Sequence, residues 1–187
     1  MKQALIVIDM QKGFDSPFWG RRNNPHAERN GLAVLDAWRA RGRTVVIVQH
    51  DSAESASPLR PGHPGNDLKS GFEPRPGDWL ISKRVNAAFI GTDLEARLRA
   101  EGFGAVAIFG LTTDQCVSTT VRMAANLGFF TTLVEDACAC FEQSTSSGAL
   151  LSAEEIHLAH ITTLHSEFAR VLTAGELIAS LWQRRIA

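Results

Sequence analysis

Three residues that can do chemistry together stand at comparable places in three separate segments of this chain. Cys116 lies in Gly110-Leu111-Thr112-Thr113-Asp114-Gln115-Cys116-Val117, after an apolar run and at the start of a helical pattern that ends at Gly128. A helix N-terminus presents unpaired N–H groups and a partial positive charge. Both favour a thiolate over a thiol, so the sequence predicts a nucleophile there. Asp9 directly follows the first apolar run, and Lys83 follows the third with only Ser82 between. In the chemistry these types permit, Cys116 attacks, Asp9 takes its proton and returns it to the leaving group, and Lys83 holds a positive charge beside both. The backbone N–H of Cys116 and one from the preceding turn would receive the oxyanion. Each residue alone has an ordinary structural explanation: a turn carboxylate, a solvated lysine, an inert core thiol. Their shared position at apolar-run ends is what argues for a site.

The elements that must position them are legible as alternation. Strands are expected at 4–8, 44–49, 79–81, 105–109, 130–134 and 170–172, and helices at 27–41, 93–100, 114–127, 153–164 and 176–186. Near-continuous apolar strands between helical patterns imply right-handed βαβ units and a parallel sheet covered on both faces. The expected architecture is α/β, a single-domain, three-layer Rossmann-like fold with a six-stranded parallel sheet, over residues 1–187. In such sheets ligands sit outside the carboxyl ends of the strands. Asp9, Lys83 and Cys116 converge if the first, third and fourth strands lie near the sheet centre. Capping boxes are expected at Thr92–Glu95, Ser152–Glu155 and Thr173–Glu176, Thr113 as the N-cap before Cys116, and Gly42 and Gly128 as helix C-terminal glycines. The Pro- and Gly-rich stretch 50–77 has no clear period and is expected to be a functional loop.

Composition narrows the function classes. A net charge of −1 over 187 residues gives no footprint for nucleic acid or an anionic membrane. No apolar run approaches the roughly 18 residues a bilayer span requires, and the N-terminus lacks a signal-peptide pattern. A cytoplasmic protein acting on a small molecule is expected, with no nucleic-acid or membrane partner. Cys116, Cys138 and Cys140 are an odd set without a CxxC spacing, which argues for free thiols.

The segments Ile8-Asp9-Met10-Gln11 with Phe14, Lys83 with Asn86, Phe89 and Thr92, the Cys116 octapeptide, and Asp136-Ala137 together resemble the isochorismatase-like cysteine hydrolase superfamily. The resemblance implies an Asp–Lys–Cys triad at Asp9, Lys83 and Cys116, a cis peptide between Leu111 and Thr112, and an oxyanion hole from the Thr112 and Cys116 N–H groups. It implies cleavage of an amide or other C–N bond of a small molecule through a thioester, and a homo-oligomer, dimer or tetramer. The nicotinamidase branch carries an Asp-x-His metal motif, but Asp51 here is followed two residues later by Ala53, so neither a metal nor another cofactor is expected. Phe14, Trp19, His50 and Phe89 are the candidates for substrate binding, and Arg60 in the Pro-rich loop is a candidate for meeting an anionic substrate. Vinyl-ether hydrolysis of the isochorismatase type and a redox-responsive thiol protein without turnover are the competing readings. Cys116 counts against the first, and Asp9 with Lys83 against the second.

Overall fold

The computed structural model describes residues 1–182. In chain order the strands are β1 (Lys2–Ile8), β2 (Val45–His50), β3 (Trp79–Lys83), β4 (Phe103–Gly110), β5 (Phe130–Val134), β6 (Gln143–Ser144), β7 (Leu150–Leu151) and β8 (Arg170–Leu172). The α-helices are α1 (Ala27–Ala40), α2 (Leu94–Ala100), α3 (Ser118–Asn126), α4 (Ala153–Glu167) and α5 (Ala174–Trp182). Six strands form one sheet of order β3-β2-β1-β4-β5-β8, and every pairing in it is parallel. The molecule is thus an α/β domain with helices flanking a Rossmann-like parallel sheet. Parallel strands are buried on both faces, which is why Ala4 to Ile8 and Val45 to Val48 are apolar without interruption and fully buried.

One positional expectation is corrected. Among the described residues the third strand is an edge, with β2 as its neighbour, and not a central strand. An edge strand alternates, and β3 buries Trp79, Ile81 and Lys83 while Leu80 and Ser82 point outward. The period of two that buries the tryptophan also turns the lysine inward. At the centre, β1 and β4 approach so closely at Gly110 that a Cβ there would lie 2.0 Å from the Ile8 carbonyl oxygen. Gly110 also has φ of 142°, which favours glycine.

The helix expected over 114–127 is two structures. A π-turn at Thr113–Val117 precedes α3, and Thr112, not Thr113, is its N-cap. Reciprocal caps form at Ser152 with Glu155 and at Thr173 with Glu176. The box expected at Thr92 does not form: Asp93 is the N-cap of α2, and Thr92 Oγ1 donates instead to the Ala88 carbonyl at 2.6 Å. Gly42 and Gly128 do follow α1 and α3 with positive φ. The antiparallel pair β6–β7 was not anticipated, and the expected helical stretch 183–186 lies outside the described residues.

The Pro-rich segment is tied down. Asn66 Nδ2 lies 3.0 Å from the His50 carbonyl, 3.1 Å from Asp51 Oδ1 and 2.8 Å from the Leu59 carbonyl. Gln11 clasps the same junction, donating to the His50 and Asn66 carbonyls and accepting from the His50 N–H. Among the described residues, no helix is long and apolar enough to cross a membrane.

Candidate active site

The strand order reverses between β1 and β4, the place where open α/β sheets form their crevice. Asp9 leaves β1 at this point with φ of 49°, an uncommon value for a non-glycine residue, and its N–H donates to the Val48 carbonyl at 3.0 Å. Cys116 arrives in the π-turn after β4. Such turns place a side chain off the regular helical spacing and recur at functional sites. His50 ends β2 and stands opposite Lys83 in the β2–β3 register. Lys83 comes from the far edge, and only its length lets it cross β2 to reach the crevice.

Its ammonium ends between three acceptors. Nζ lies 2.7 Å from Asp9 Oδ2, 2.8 Å from His50 Nδ1 and 3.2 Å from Cys116 Sγ. An ammonium has three N–H bonds and accepts none, so all three are used and His50 Nδ1 must be the unprotonated ring nitrogen. The grouping expected from the sequence is therefore amended in its membership. The titratable groups that meet are Asp9, His50 and Cys116, all within 4.8 Å of one another, with the Lys83 charge held among them. Such a set has the donor types of a metal site, but the cation in that position is already the ammonium.

Electrostatics set the resting protonation. Burial disfavours the Lys83 charge, yet the Asp9 carboxylate and the Cys116 sulfur outweigh it and hold its pKa above the ordinary lysine value. Burial, then the Lys83 charge, lowers His50, which keeps the ring neutral. Burial first and the Asp9 charge second push the Cys116 thiol well up, against the opposing pull of Lys83. This corrects the expectation of a thiolate: enclosure and a neighbouring carboxylate outweigh the turn's partial charge. Asp9 and Lys83 form a fully buried ion pair, and the direction of the Cys116 shift favours thiol over thiolate. Asp9 Oδ1 is buried and has no hydrogen-bond partner among the described residues, which leaves an open acceptor within the cluster.

The cluster underlies a cavity of about 320 Å³ that Cys116, Thr112 and His50 line. One wall is aromatic. The Phe14 and Trp19 ring centroids are 5.2 Å apart, Trp19 and Phe141 5.9 Å, and Phe14 and Phe141 6.1 Å. Trp19 is fixed by donating to the Gly13 carbonyl at 2.8 Å. Of the expected binding residues, Phe14, Trp19 and His50 line the cavity, whereas Phe89 does not: its ring stacks on Phe129 in the core, 6.0 Å away. Arg60 also stays away, donating to the Ser57 carbonyl at 3.0 Å, although Ser57 and Leu59 of the same loop reach the cavity. Residues the sequence did not single out for binding include Phe141, Asn86 and Gln115. Asn86 Nδ2 donates to Gln115 Oε1 at 3.2 Å, which braces the residue next to the cysteine. The Leu111–Thr112 peptide is cis, as the resemblance implied. Cys138 and Cys140 are buried and free, their sulfurs against the Val134 and Ala153 carbonyls. His157 meets Thr113 Oγ1 at 2.9 Å, so it supports the π-turn from behind.

Residues 3–176 match the Isochorismatase domain family. The chain is 44% identical to the isochorismatase family protein YrdC of Bacillus subtilis over 95% of both chains. It is 27% identical to the ureidoacrylate amidohydrolase RutB of Agrobacterium fabrum, with 72% of this chain and 74% of that one covered. The crystal structure of an isochorismatase-family protein from Chromobacterium violaceum superposes with a TM-score of 0.92 at 45% identity, covering 96% of this chain and 93% of that one.

Proposed function

This chain belongs to the isochorismatase-like hydrolase superfamily, and on that premise we propose that it is a metal-independent cysteine amidohydrolase that opens a C–N bond of a small molecule through a thioester. The fold and the cysteine, histidine and aspartate cluster support a hydrolytic, cysteine-dependent mechanism on a small substrate. The observation that carries the finer reading is the Lys83 ammonium between Asp9 and Cys116 at the base of the cavity, with an acceptor oxygen of Asp9 open. The amidohydrolase relative supports the bond type.

In the proposed cycle the Cys116 thiol gives its proton to Asp9 as the sulfur attacks the amide carbonyl. The backbone N–H groups of Thr112 and Cys116 receive the tetrahedral oxyanion. Asp9 returns the proton to the leaving nitrogen, the C–N bond breaks, and a thioester remains on Cys116. Water then attacks the thioester, Asp9 takes one of its protons, and that proton returns to the departing sulfur. Lys83 stays protonated throughout and stabilises whichever of the two anions is present. With burial and Asp9 raising its pKa, the resting thiol is a slow target for oxidation and alkylation.

The test is intact-protein mass spectrometry on protein quenched during turnover of a panel of small amides, with released ammonia or amine measured in parallel. An acyl adduct on Cys116, and loss of release in folded Cys116→Ala, are expected. Turnover that persists in Cys116→Ala would overturn the covalent mechanism.

A further inference from the structure

The same cavity carries a charge pattern that its catalytic floor does not explain. Glu54, Asp114 and Glu142 line it, and none of the described residues lining it is a lysine or an arginine. The floor contributes no net charge, because the Lys83 ammonium is matched by Asp9. Asp114 receives a side-chain hydrogen bond from the neutral amide of Gln143, and its Oδ1 is buried with no partner among the described residues. Glu142 lies 4.0 Å from Arg21, but Arg21 forks onto Glu154, so that trio sets one guanidinium against two carboxylates. The same cavity is lined by the aromatic rings of Phe14, Trp19 and Phe141, a residue type that attracts cations.

A cavity lined by carboxylates and aromatic rings, with the Lys83 cation at its base matched by Asp9, attracts positive groups and repels negative ones. We infer that the substrate is an amide bearing a cationic group, an ammonium, amidinium or quaternary ammonium, seated between the aromatic wall and the acidic side of the cavity. This rests on the amidohydrolase reading and specifies its substrate class. Carboxylate-bearing amides are the disfavoured class: they would bring an anion against Glu54, Asp114 and Glu142, and Arg60, which would have met it, is turned away. The dimensions suit a group of this kind, because a cavity of about 320 Å³ accepts a small amide with one charged substituent.

Charge-matched thiol reagents test this without knowledge of the substrate. Methyl methanethiosulfonate is neutral, its 2-(trimethylammonium)ethyl analogue is a cation, and its 2-sulfonatoethyl analogue is an anion. Each forms a disulfide with a thiolate and releases methanesulfinate, so only the approach of the charge differs. The rates at Cys116, followed by peptide mass mapping, are divided by those of 2-mercaptoethanol. The cationic reagent is expected to outpace the anionic one at least tenfold after this correction, and the preference to fall several-fold in Glu54→Gln and Asp114→Asn. A corrected ratio at or below one would overturn the inference. A folded protein whose Cys116 resists even the neutral reagent agrees with the raised thiol and leaves the amidohydrolase reading to the turnover test in Cys116→Ala. Charge selection is then decided by calorimetry on Cys116→Ser with benzyltrimethylammonium against benzenesulfonate: tighter binding of the cation supports the inference, and equal or tighter binding of the anion overturns it.

Discussion

Replacing Lys83 by methionine keeps the length and volume of the side chain and removes its charge. At 2.7 Å, the attraction between Lys83 Nζ and Asp9 Oδ2 is about 6 kcal/mol for an effective dielectric constant of 20. Desolvation of two buried ions offsets much of this, so the pair as a whole contributes little net stability. Breaking it is different, because Asp9 would remain fully buried without a cation. Loss of one partner of such a pair costs about 3–5 kcal/mol. Asp9→Asn strands the ammonium and is expected to cost a similar amount. The double variant Asp9→Asn/Lys83→Met strands no charge, so its cost should fall short of the sum of the singles by about 2–4 kcal/mol. Urea unfolding followed by tryptophan fluorescence measures all three, and the double variant should lose less stability than the two singles added together. Additive costs, or a Lys83→Met protein within about 1 kcal/mol of the parent, would refute the claim that a buried ion pair organises the site.

Alkylation of Cys116 by iodoacetamide should keep accelerating past pH 9, the ordinary cysteine value, because burial and Asp9 raise the thiol; a plateau below pH 8 would contradict a resting thiol. Glu28 supports the loop after β1 from its place in α1, with Arg22 at 2.7 Å and Lys69 at 2.9 Å. Burial pushes its carboxyl up, but these two cations outweigh burial and bring it down from 4.5 to about 2. The folded value lies below the unfolded one, so this stabilisation is complete above about pH 4.5 and is lost as the pH falls toward 2. Glu28→Gln should therefore flatten the acid limb of the stability curve, and an unchanged slope between pH 4.5 and 2 would count against the assignment. Gly110→Ala should cost at least about 3 kcal/mol or prevent folding, since strain at positive φ adds to overlap with the β1 backbone. A melting temperature equal to that of the parent would show that β1 and β4 can separate there.

Much of this arrangement was legible because parallel α/β architecture writes itself into the chain as apolar runs between helical patterns. The runs located Asp9 and Lys83 at strand ends and Cys116 in the turn that follows the fourth strand. What the runs could not give was lateral order. Nothing local to 79–83 says that this strand is an edge, although its alternation, Trp79 and Ile81 in and Leu80 and Ser82 out, is the pattern an edge strand leaves. The role of His50 was hidden for the same reason. A histidine ending a strand is read as lining or structural until its neighbour across the ladder is known, and here that neighbour is Lys83. The protonation of Cys116 depends on enclosure by segments more than 100 residues apart, which overrides a local turn's partial charge. Phe89 shares its type with Phe14 and Trp19, but its ring stacks on Phe129, which lies between α3 and β5. Phe141 carried no signal at all, because it enters the aromatic wall from an irregular stretch between β5 and β6.

The choice of a lysine from an edge strand has a physical logic. The crevice between β1 and β4 receives the carboxylate from one central strand and the sulfur from the turn after the other. Both are acidic groups, and either becomes an anion during proton exchange, so a cation must share their space in every state. A guanidinium is a flat fork with five donors suited to planar acceptors, and three single acceptors converging from three segments would leave donors unpaired. An ammonium matches them one to one, with Asp9, His50 and Cys116 as its partners. Its site is also reached from β3 only by an extended, flexible stem, which lysine supplies. With that charge balanced by Asp9, the potential at the cavity mouth is left to Glu54, Asp114 and Glu142. The floor can therefore govern proton transfer while the walls govern which molecules enter, and a substitution at Glu54 should change selection without disturbing the ion pair beneath.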